Sequence, residues 1–172
     1  MSRPLGVLVA LSVAGCASGG QPVPGVNPNP AAPSPASEAD APVVTLERTA
    51  CYGLCPVYRV SISPSGLVSW VGSTNVAAVG PASAQITPAA VEGLLDELRA
   101  GGYLSFADRY VAGAPACGLY ATDSPSAISW AALDGRSKRI EHDYGCTDAP
   151  PALAHLERRI DEVAGSARWT GR

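Results

Sequence analysis

The sequence has no long run of basic residues, and its acidic side chains outnumber its basic ones. It contains 12 lysines and arginines against 15 aspartates and glutamates, a formal net charge of −3. Proteins that bind nucleic acid present clustered lysines and arginines to the phosphate backbone. The composition therefore argues against a nucleic-acid partner, and it offers no basic segment that would attract anionic lipid headgroups.

Short motifs that accompany common enzyme mechanisms are also missing from the sequence. It has no Gly-x-Ser-x-Gly elbow, no His-Glu-x-x-His pair and no phosphate-binding loop. His142 and His155 are the only histidines, and no spacing argument brings Asp123 and Asp143 together as a carboxylate pair. Because no nucleophile, base and oxyanion site can be assembled, we expect a protein that is not an enzyme and needs no cofactor.

No N-terminal apolar stretch is long enough to cross a bilayer. Residues Leu5–Ala14 form an apolar run of about ten residues, whereas a spanning helix needs roughly 20. The run follows Arg3 and precedes Cys16, which is typical of a secretory signal over residues 1–15. An ordinary secreted protein cleaved nearby is the alternative.

The end of this signal, Val13-Ala14-Gly15-Cys16, resembles the lipobox of bacterial lipoproteins. The resemblance implies that Cys16 is acylated and becomes the mature N terminus. Acyl chains contribute about 0.8 kcal/mol per buried methylene, so several chains would hold the protein on a membrane. The same resemblance, with Ala17 and not an aspartate after the cysteine, implies transport to the outer membrane. We therefore expect a lipid-anchored protein of the cell envelope that faces the periplasm.

Residues 16–42 differ in composition from the remainder of the chain. Ala17–Pro42 holds seven prolines and no aromatic residue, so it cannot build a core. With polyproline-II character this tether would reach on the order of 80 Å, at roughly 3.1 Å per residue. We interpret it as a spacer between the lipid and a single domain over residues 43–172, and a proline-rich ligand for a partner is the alternative.

Alternating apolar and polar residues predict strands in that domain. Val44 and Leu46 alternate with polar neighbours, as do Tyr58, Val60 and Ile62. The same pattern recurs at Val68, Trp70, Ile128, Trp130, Lys138, Ile140 and His142. Most aromatic side chains, Trp130 among them, are expected in the core.

Turn signals divide these strands into two hairpin regions. Ser63-Pro64-Ser65-Gly66 supplies the first turn, with Gly66 at a position that needs positive φ, and Asp134-Gly135 supplies the second. The segment Val76–Ile86 is predicted to add a strand that is broken near Gly80-Pro81.

Two segments have the spacing of amphipathic helices. The first begins at Thr87-Pro88 and ends at Gly101-Gly102, and the second is predicted to be capped by Asp148 and to end at Gly165. Their buried stripes are Val91, Leu94, Leu95 and Leu98 in the first helix, and Leu153, Leu156, Ile160 and Val163 in the second. The pattern predicts an α+β domain, with both helices packed on one face of a mostly antiparallel sheet.

Four cysteines follow Cys16, and an even number in an exported chain predicts disulfides. Three pairings are possible. Gly53 permits the tight loop that a Cys51–Cys55 bond needs, and Cys117 and Cys146 flank the second hairpin, whose ends lie close together. We favour Cys51–Cys55 with Cys117–Cys146.

The segment Cys51–Tyr58 resembles the opening motif of an uncharacterised bacterial lipoprotein domain family, Cys-x-Gly-x-Cys-Pro-x-Tyr. Later positions that fit the family are Gly66, Tyr110, Asp123, Gly135 and the segment Leu156–Asp161. The resemblance covers nearly all of residues 43–169. It implies a domain with no assigned activity, and it supports pairing Cys117 with Cys146, since the family pattern requires neither.

The same cysteines allow a second interpretation. Cys-x-x-x-Cys-Pro resembles the copper motif of Sco-type assembly proteins, in which two thiolates and a distant histidine hold the metal, so Cys51, Cys55 and His142 would be ligands. Those folds continue from the motif into a helix, whereas Val57–Ile62 alternates as a strand. A copper or thiol–disulfide protein is therefore the alternative to a structural disulfide.

Aromatic residues beside the cysteines suggest a recognition surface. Tyr52 and Tyr144 each lie close to a cysteine in a predicted loop, and the full candidate set is Tyr52, Tyr58, Asp123, His142 and Tyr144. We expect a non-enzymatic, lipid-tethered module that binds an envelope protein or a glycan, or helps to maintain the envelope.

Overall fold

The computed structural model describes residues 40–171. The predicted signal at 1–15, the lipidation site Cys16 and the tether up to residue 39 lie outside the described residues. Within 40–171 the strands are β1 Val44–Arg48, β2 Val57–Ile62, β3 Leu67–Thr74, β4 Gly80–Gln85, β5 Arg109–Tyr110, β6 Ser126–Leu133 and β7 Arg136–Asp143. The helices are α1 Pro88–Ala100, α2 Pro151–Ala164 and α3 Ala167–Thr170, with a 3₁₀ turn at Tyr103–Ser105. None of the helices in this part of the chain is long and apolar enough to cross a membrane.

All seven strands form one sheet in the order β4-β3-β2-β1-β6-β7-β5. Every neighbouring pair is antiparallel except β5 and β7. Both predicted hairpins are present, as β2–β3 and β6–β7, and β1 lies between them. The α+β prediction is therefore confirmed.

One face of the sheet and the apolar stripes of the helices enclose the core. Val44, Leu46, Val60 and Ile62 are fully buried on that face. The β2–β3 turn depends on Gly66, whose φ is +86° and whose missing Cβ would lie 2.1 Å from the Ile86 carbonyl oxygen. A side chain there would displace β4, so the glycine fixes the turn.

Helix α1 has the predicted ends. Thr87 Oγ1 accepts a hydrogen bond from the Ala90 N–H, Pro88 opens the helix, and the predicted stripe of α1 is buried. Helix α2 differs from the prediction at two points. Its N-cap is Pro150, without a side-chain cap, so Asp148 does not cap it. The predicted Leu153, Leu156 and Ile160 are buried, but Val163 is only partly buried, and Glu157 and Ala164 are buried in addition.

The expectation that Trp130 lies in the core is wrong. Strand β6 buries Ala127, Ser129, Ala131 and Leu133, so Trp130 and Ile128 occupy the opposite face. Small side chains let the elements on the core face approach closely, and the Tyr103 hydroxyl donates a hydrogen bond to Ser129 Oγ at 2.8 Å. This bond gives the buried Ser129 hydroxyl a partner. Ser129 can therefore lie on the core face, although the alternation of apolar and polar residues favours Ile128 and Trp130 there.

The structure differs from the prediction at two further places, the start of β4 and the segment after α2. The strand predicted from Val76 is not broken at Gly80-Pro81 but begins there. Helix α3 was not predicted; it places Trp169 against Trp70 with ring centroids 5.1 Å apart. The Trp169 carbonyl also accepts from the Ala78 N–H, which ties α3 to the segment before β4.

Candidate functional site

Four loops meet at one end of the sheet, which we call the tip. They are residues 49–56, 75–79, 117–125 and 144–150, and they follow β1, β3, β5 and β7. The described chain enters at the opposite end, where the Val43 N–H donates to the Ile62 carbonyl and the Val43 carbonyl accepts from the Ala132 N–H. The tip is therefore separated from the point of entry by the length of the strands.

Two disulfides close the loops of the tip. Cys51 and Cys55 are bonded with a Cα–Cα distance of 5.7 Å, and Cys117 and Cys146 with a distance of 4.6 Å. Gly53, with φ +150°, lets the chain reverse between the first two cysteines. Both bonds match the pairing favoured from the sequence.

The arrangement around Cys55 differs from that of the Sco-type copper proteins. Cys51 and Cys55 hold no free thiolate, strand β2 and not a helix follows them, and His142 is engaged by a buried carboxylate. Among residues 40–171, no group of three or more histidine, cysteine or acidic side chains is placed to hold a metal ion.

Hydrogen bonds join the disulfide loops to one another. The Tyr52 N–H donates to the Asp123 carbonyl at 3.1 Å, which links the first loop to the third. Leu119 exchanges hydrogen bonds with Thr147 of the fourth loop. The side-chain amide of Asn75 donates to the Cys55 carbonyl and adds the second loop. These bonds hold the four loops as one surface.

Apolar side chains project from these loops into solvent. In the described part of the chain, five of the six exposed large apolar residues lie at the tip: Tyr52, Leu54, Val79, Leu119 and Tyr120. Tyr52 is 90% exposed, Leu119 79% and Leu54 75%. The sixth, Val71, lies in strand β3. Exposed apolar groups concentrated at one place mark interaction surfaces.

A polar network fastens helix α2 to the strands behind the tip. Arg48, at the end of β1, donates from Nη2 and Nε to one oxygen of Asp161, at 2.8 and 3.1 Å. The Tyr58 hydroxyl donates to the other oxygen at 2.7 Å. One carboxylate on α2 thereby holds the adjacent strands β1 and β2.

The same network continues to β7 through Tyr144. Arg48 Nη1 donates to the Tyr144 hydroxyl at 2.7 Å, and that hydroxyl donates to Glu157 at 2.7 Å. Nδ1 of His142 lies 3.0 Å from the same Glu157 oxygen, and its ring stacks on Tyr144. Glu157 is fully buried, so these partners supply the hydrogen bonds that its oxygens would otherwise make with water.

The surroundings of Arg48, Tyr58 and Tyr144 raise the pKa of each of these three side chains. Burial raises the pKa of Tyr144 to about 12, with a further contribution from Glu157. Burial and the Asp161 carboxylate also raise the pKa of Tyr58. Burial acts to lower the pKa of Arg48, but Asp161 and Tyr144 raise it overall. Both tyrosines therefore remain hydrogen-bond donors, and Arg48 remains charged, at neutral pH.

The candidate recognition residues fall into two groups. Tyr52 and Asp123 meet at the tip, whereas Tyr58, His142 and Tyr144 belong to the network beneath it. Sequence reasoning missed Arg48, Leu54 and Leu119. Arg48 gave no signal because its partners lie 96 and 113 positions away; Leu54 and Leu119 could have been found as apolar residues beside loop cysteines.

The model of a domain of unknown function, DUF6438, matches residues 42–164, which make up most of the chain and contain the whole sheet and the helices α1 and α2. No curated protein matches the chain significantly. The chain belongs to the family of the domain of unknown function DUF6438.

Proposed function

We propose that this protein is a lipid-anchored, non-enzymatic binding module of the cell envelope, and that its tip contacts a partner protein. The exposure of Tyr52, Leu54 and Leu119 on loops closed by disulfides carries the proposal. Such loops lose little conformational entropy on binding, so the apolar area that they bury would contribute efficiently to affinity.

The place of the tip in the fold supports this role. The proposed lipid on Cys16 precedes the described chain, which enters the sheet at the end opposite the tip. An eight-residue strand such as β6 spans about 26 Å, at roughly 3.3 Å per residue. The tip would therefore be free to meet a partner while the other end leads to the anchor.

A protein partner suits the tip better than a glycan does. Its exposed residues include the aliphatic side chains Leu54, Val79 and Leu119, which pack against other apolar groups and form no hydrogen bonds with sugar hydroxyls. Exposed tyrosines such as Tyr52 commonly act as anchors at protein interfaces. The charged groups in the four loops are aspartates, so nucleic acid is disfavoured.

Photo-crosslinking tests the role of the tip. With p-benzoyl-phenylalanine in place of Tyr52, the full-length protein in intact cells should form one discrete adduct. Leu54→Ser combined with Leu119→Ser should reduce the adduct at least about tenfold, because two apolar contacts are lost. Val71→Thr removes apolar area from an exposed site outside the tip and should leave the adduct unchanged. Equal adduct yields from all three proteins would refute the proposed interface.

The anchor requires a separate test. In Cys16→Ser the acceptor of the acyl chains is lost, so the protein should move from the membrane fraction to the soluble fraction or keep its uncleaved signal. Fractionation followed by mass spectrometry of the N-terminal peptide measures both. An unmodified Cys16 in the wild-type protein, or membrane association that is unaffected by the substitution, would exclude lipid anchoring at this residue.

A further inference from the structure

The face of the sheet that the helices leave uncovered, which we call the open face, carries an aromatic residue among charged ones. Cross-strand pairing places Arg139 beside Trp130, and Trp130 beside Thr45. The adjacent row across the sheet is Glu141, Ile128, Glu47, Arg59 and Val71. The solvated face of an antiparallel sheet is usually polar, so Trp130 and Ile128 call for an explanation.

The open face holds a depression of about 510 Å³, which is lined by Pro42, Thr45, Glu47, Arg59, Ile128, Trp130 and Arg139. Its volume is in the range of roughly 300–1,000 Å³ that small-ligand sites occupy. The lining also has the usual character of such sites, an apolar floor with a few polar groups that orient the ligand.

Two arginines of the depression are weakly engaged. Among residues 40–171, Arg59 makes no ion pair within 4 Å, although Glu47 is its direct cross-strand neighbour. Arg139 approaches Glu141 only at 3.7 Å, longer than a hydrogen bond. A guanidinium has a planar set of donors that fits a carboxylate, so the depression is complementary to an acidic ligand.

Glu47 restricts which acidic ligand fits. A polyanion such as a nucleic acid or a densely charged lipid surface would bring further negative charge against this carboxylate. A ligand with a single carboxylate and several hydroxyl groups avoids that repulsion, because its hydroxyls can donate to Glu47 and Thr45. Trp130 offers a flat apolar surface for a ring.

We infer that the open face binds a saccharide that carries a carboxylate. The sugar ring lies on Trp130, the carboxylate pairs with Arg139, and hydroxyl groups contact Glu47. Arg59 is three strands from Arg139 and offset from it by two residues along the strand, a distance of about 16 Å at roughly 4.8 Å per strand and 3.3 Å per residue, so the site accommodates about two sugar units. This site is separate from the tip and goes beyond the proposed function.

Calorimetry of the full-length protein with N-acetylmuramic acid and N-acetylglucosamine tests the inference, because the first sugar differs from the second by a carboxylate-bearing ether. The acidic sugar should bind at least about tenfold more tightly, since a hydrogen bond to a charged group has that effect or more. Arg139→Gln should reduce this preference to less than about twofold. Arg158→Gln makes the same change of charge on an exposed part of α2 and should retain the preference.

Equal affinities for the two sugars, or no binding of either up to its solubility limit, would overturn the inference. Full binding by Trp130→Ala would also overturn it, and Trp130→Phe, which keeps an aromatic surface, should bind nearly as well as the wild type. Circular dichroism checks that each variant is folded. The tip variant with Leu54→Ser and Leu119→Ser should bind the acidic sugar normally, so the two proposals fail independently.

Discussion

Replacing Glu157 with alanine is expected to lower the free energy of unfolding by about 3 to 5 kcal/mol. The side chain is fully buried, accepts a hydrogen bond from the Tyr144 hydroxyl at 2.7 Å and lies 3.0 Å from His142 Nδ1. Each buried polar group that loses its partner contributes about 1 to 3 kcal/mol, and the void left by the side chain adds to this. Urea unfolding monitored by circular dichroism measures the change.

The matched control for this prediction is Glu97→Ala. Glu97 is also a helical glutamate, and it forms an ion pair with Arg159, but its side chain is 40% exposed. Surface pairs of this kind contribute at most about 1 kcal/mol, so the control should unfold near the wild-type midpoint. Glu157→Gln retains the shape of the side chain and one acceptor oxygen, so its loss of unfolding free energy should lie between those of Glu97→Ala and Glu157→Ala. Comparable losses for Glu97→Ala and Glu157→Ala would show that the buried network does not fasten α2.

The elements of the core follow from local sequence patterns. The stripe of α1, the alternation in β2 and the turn at Gly66 are each determined within a few residues, because periodicity, capping and backbone sterics act over that distance. The two disulfides could be inferred as well, since loop closure and hairpin geometry limit the pairing. For these features the sequence was sufficient to predict the class of fold.

The orientation of β6 required information from distant residues. Ile128 and Trp130 are more apolar than Ser129, so local alternation favours burying them. The tertiary structure reverses this choice, because Tyr103 supplies a partner for the Ser129 hydroxyl and small residues fit beneath the helices. A one-residue change of register would move every side chain of β6 to the other face, so burying Ser129 with Ala127 and Ala131 places Trp130 on the opposite face.

The network beneath the tip was also beyond local reasoning. Glu157 lies on the apolar side of α2, where a charged residue would ordinarily count against burial. Its partners come from strand β7 and the loop after it, and Asp161 one turn later binds residues of β1 and β2. Such charge pairing is visible only once the strand order β2-β1-β6-β7 is known.

Removing the Cys117–Cys146 disulfide is expected to destabilise the domain more than removing Cys51–Cys55. A disulfide lowers the conformational entropy of the unfolded chain and so stabilises the folded state. The stabilisation is about 3 to 4 kcal/mol for Cys117–Cys146, whose cysteines are 29 residues apart, and about 2 kcal/mol for Cys51–Cys55, whose cysteines are 4 residues apart. Paired alanine substitutions avoid free thiols and buried hydroxyls. Urea unfolding of Cys117→Ala/Cys146→Ala and of Cys51→Ala/Cys55→Ala measures the difference.

The two variants also separate stability from recognition. If the tip is the binding surface, Cys51→Ala/Cys55→Ala should lose the crosslink from position 52 while the domain stays folded, because the loop that carries Tyr52 and Leu54 is no longer closed. Retention of the crosslink by this variant, at wild-type yield, would show that closure of the loop is dispensable for binding. A larger loss of stability from this pair than from Cys117→Ala/Cys146→Ala would contradict the loop-length argument and indicate that native contacts around Cys51 dominate.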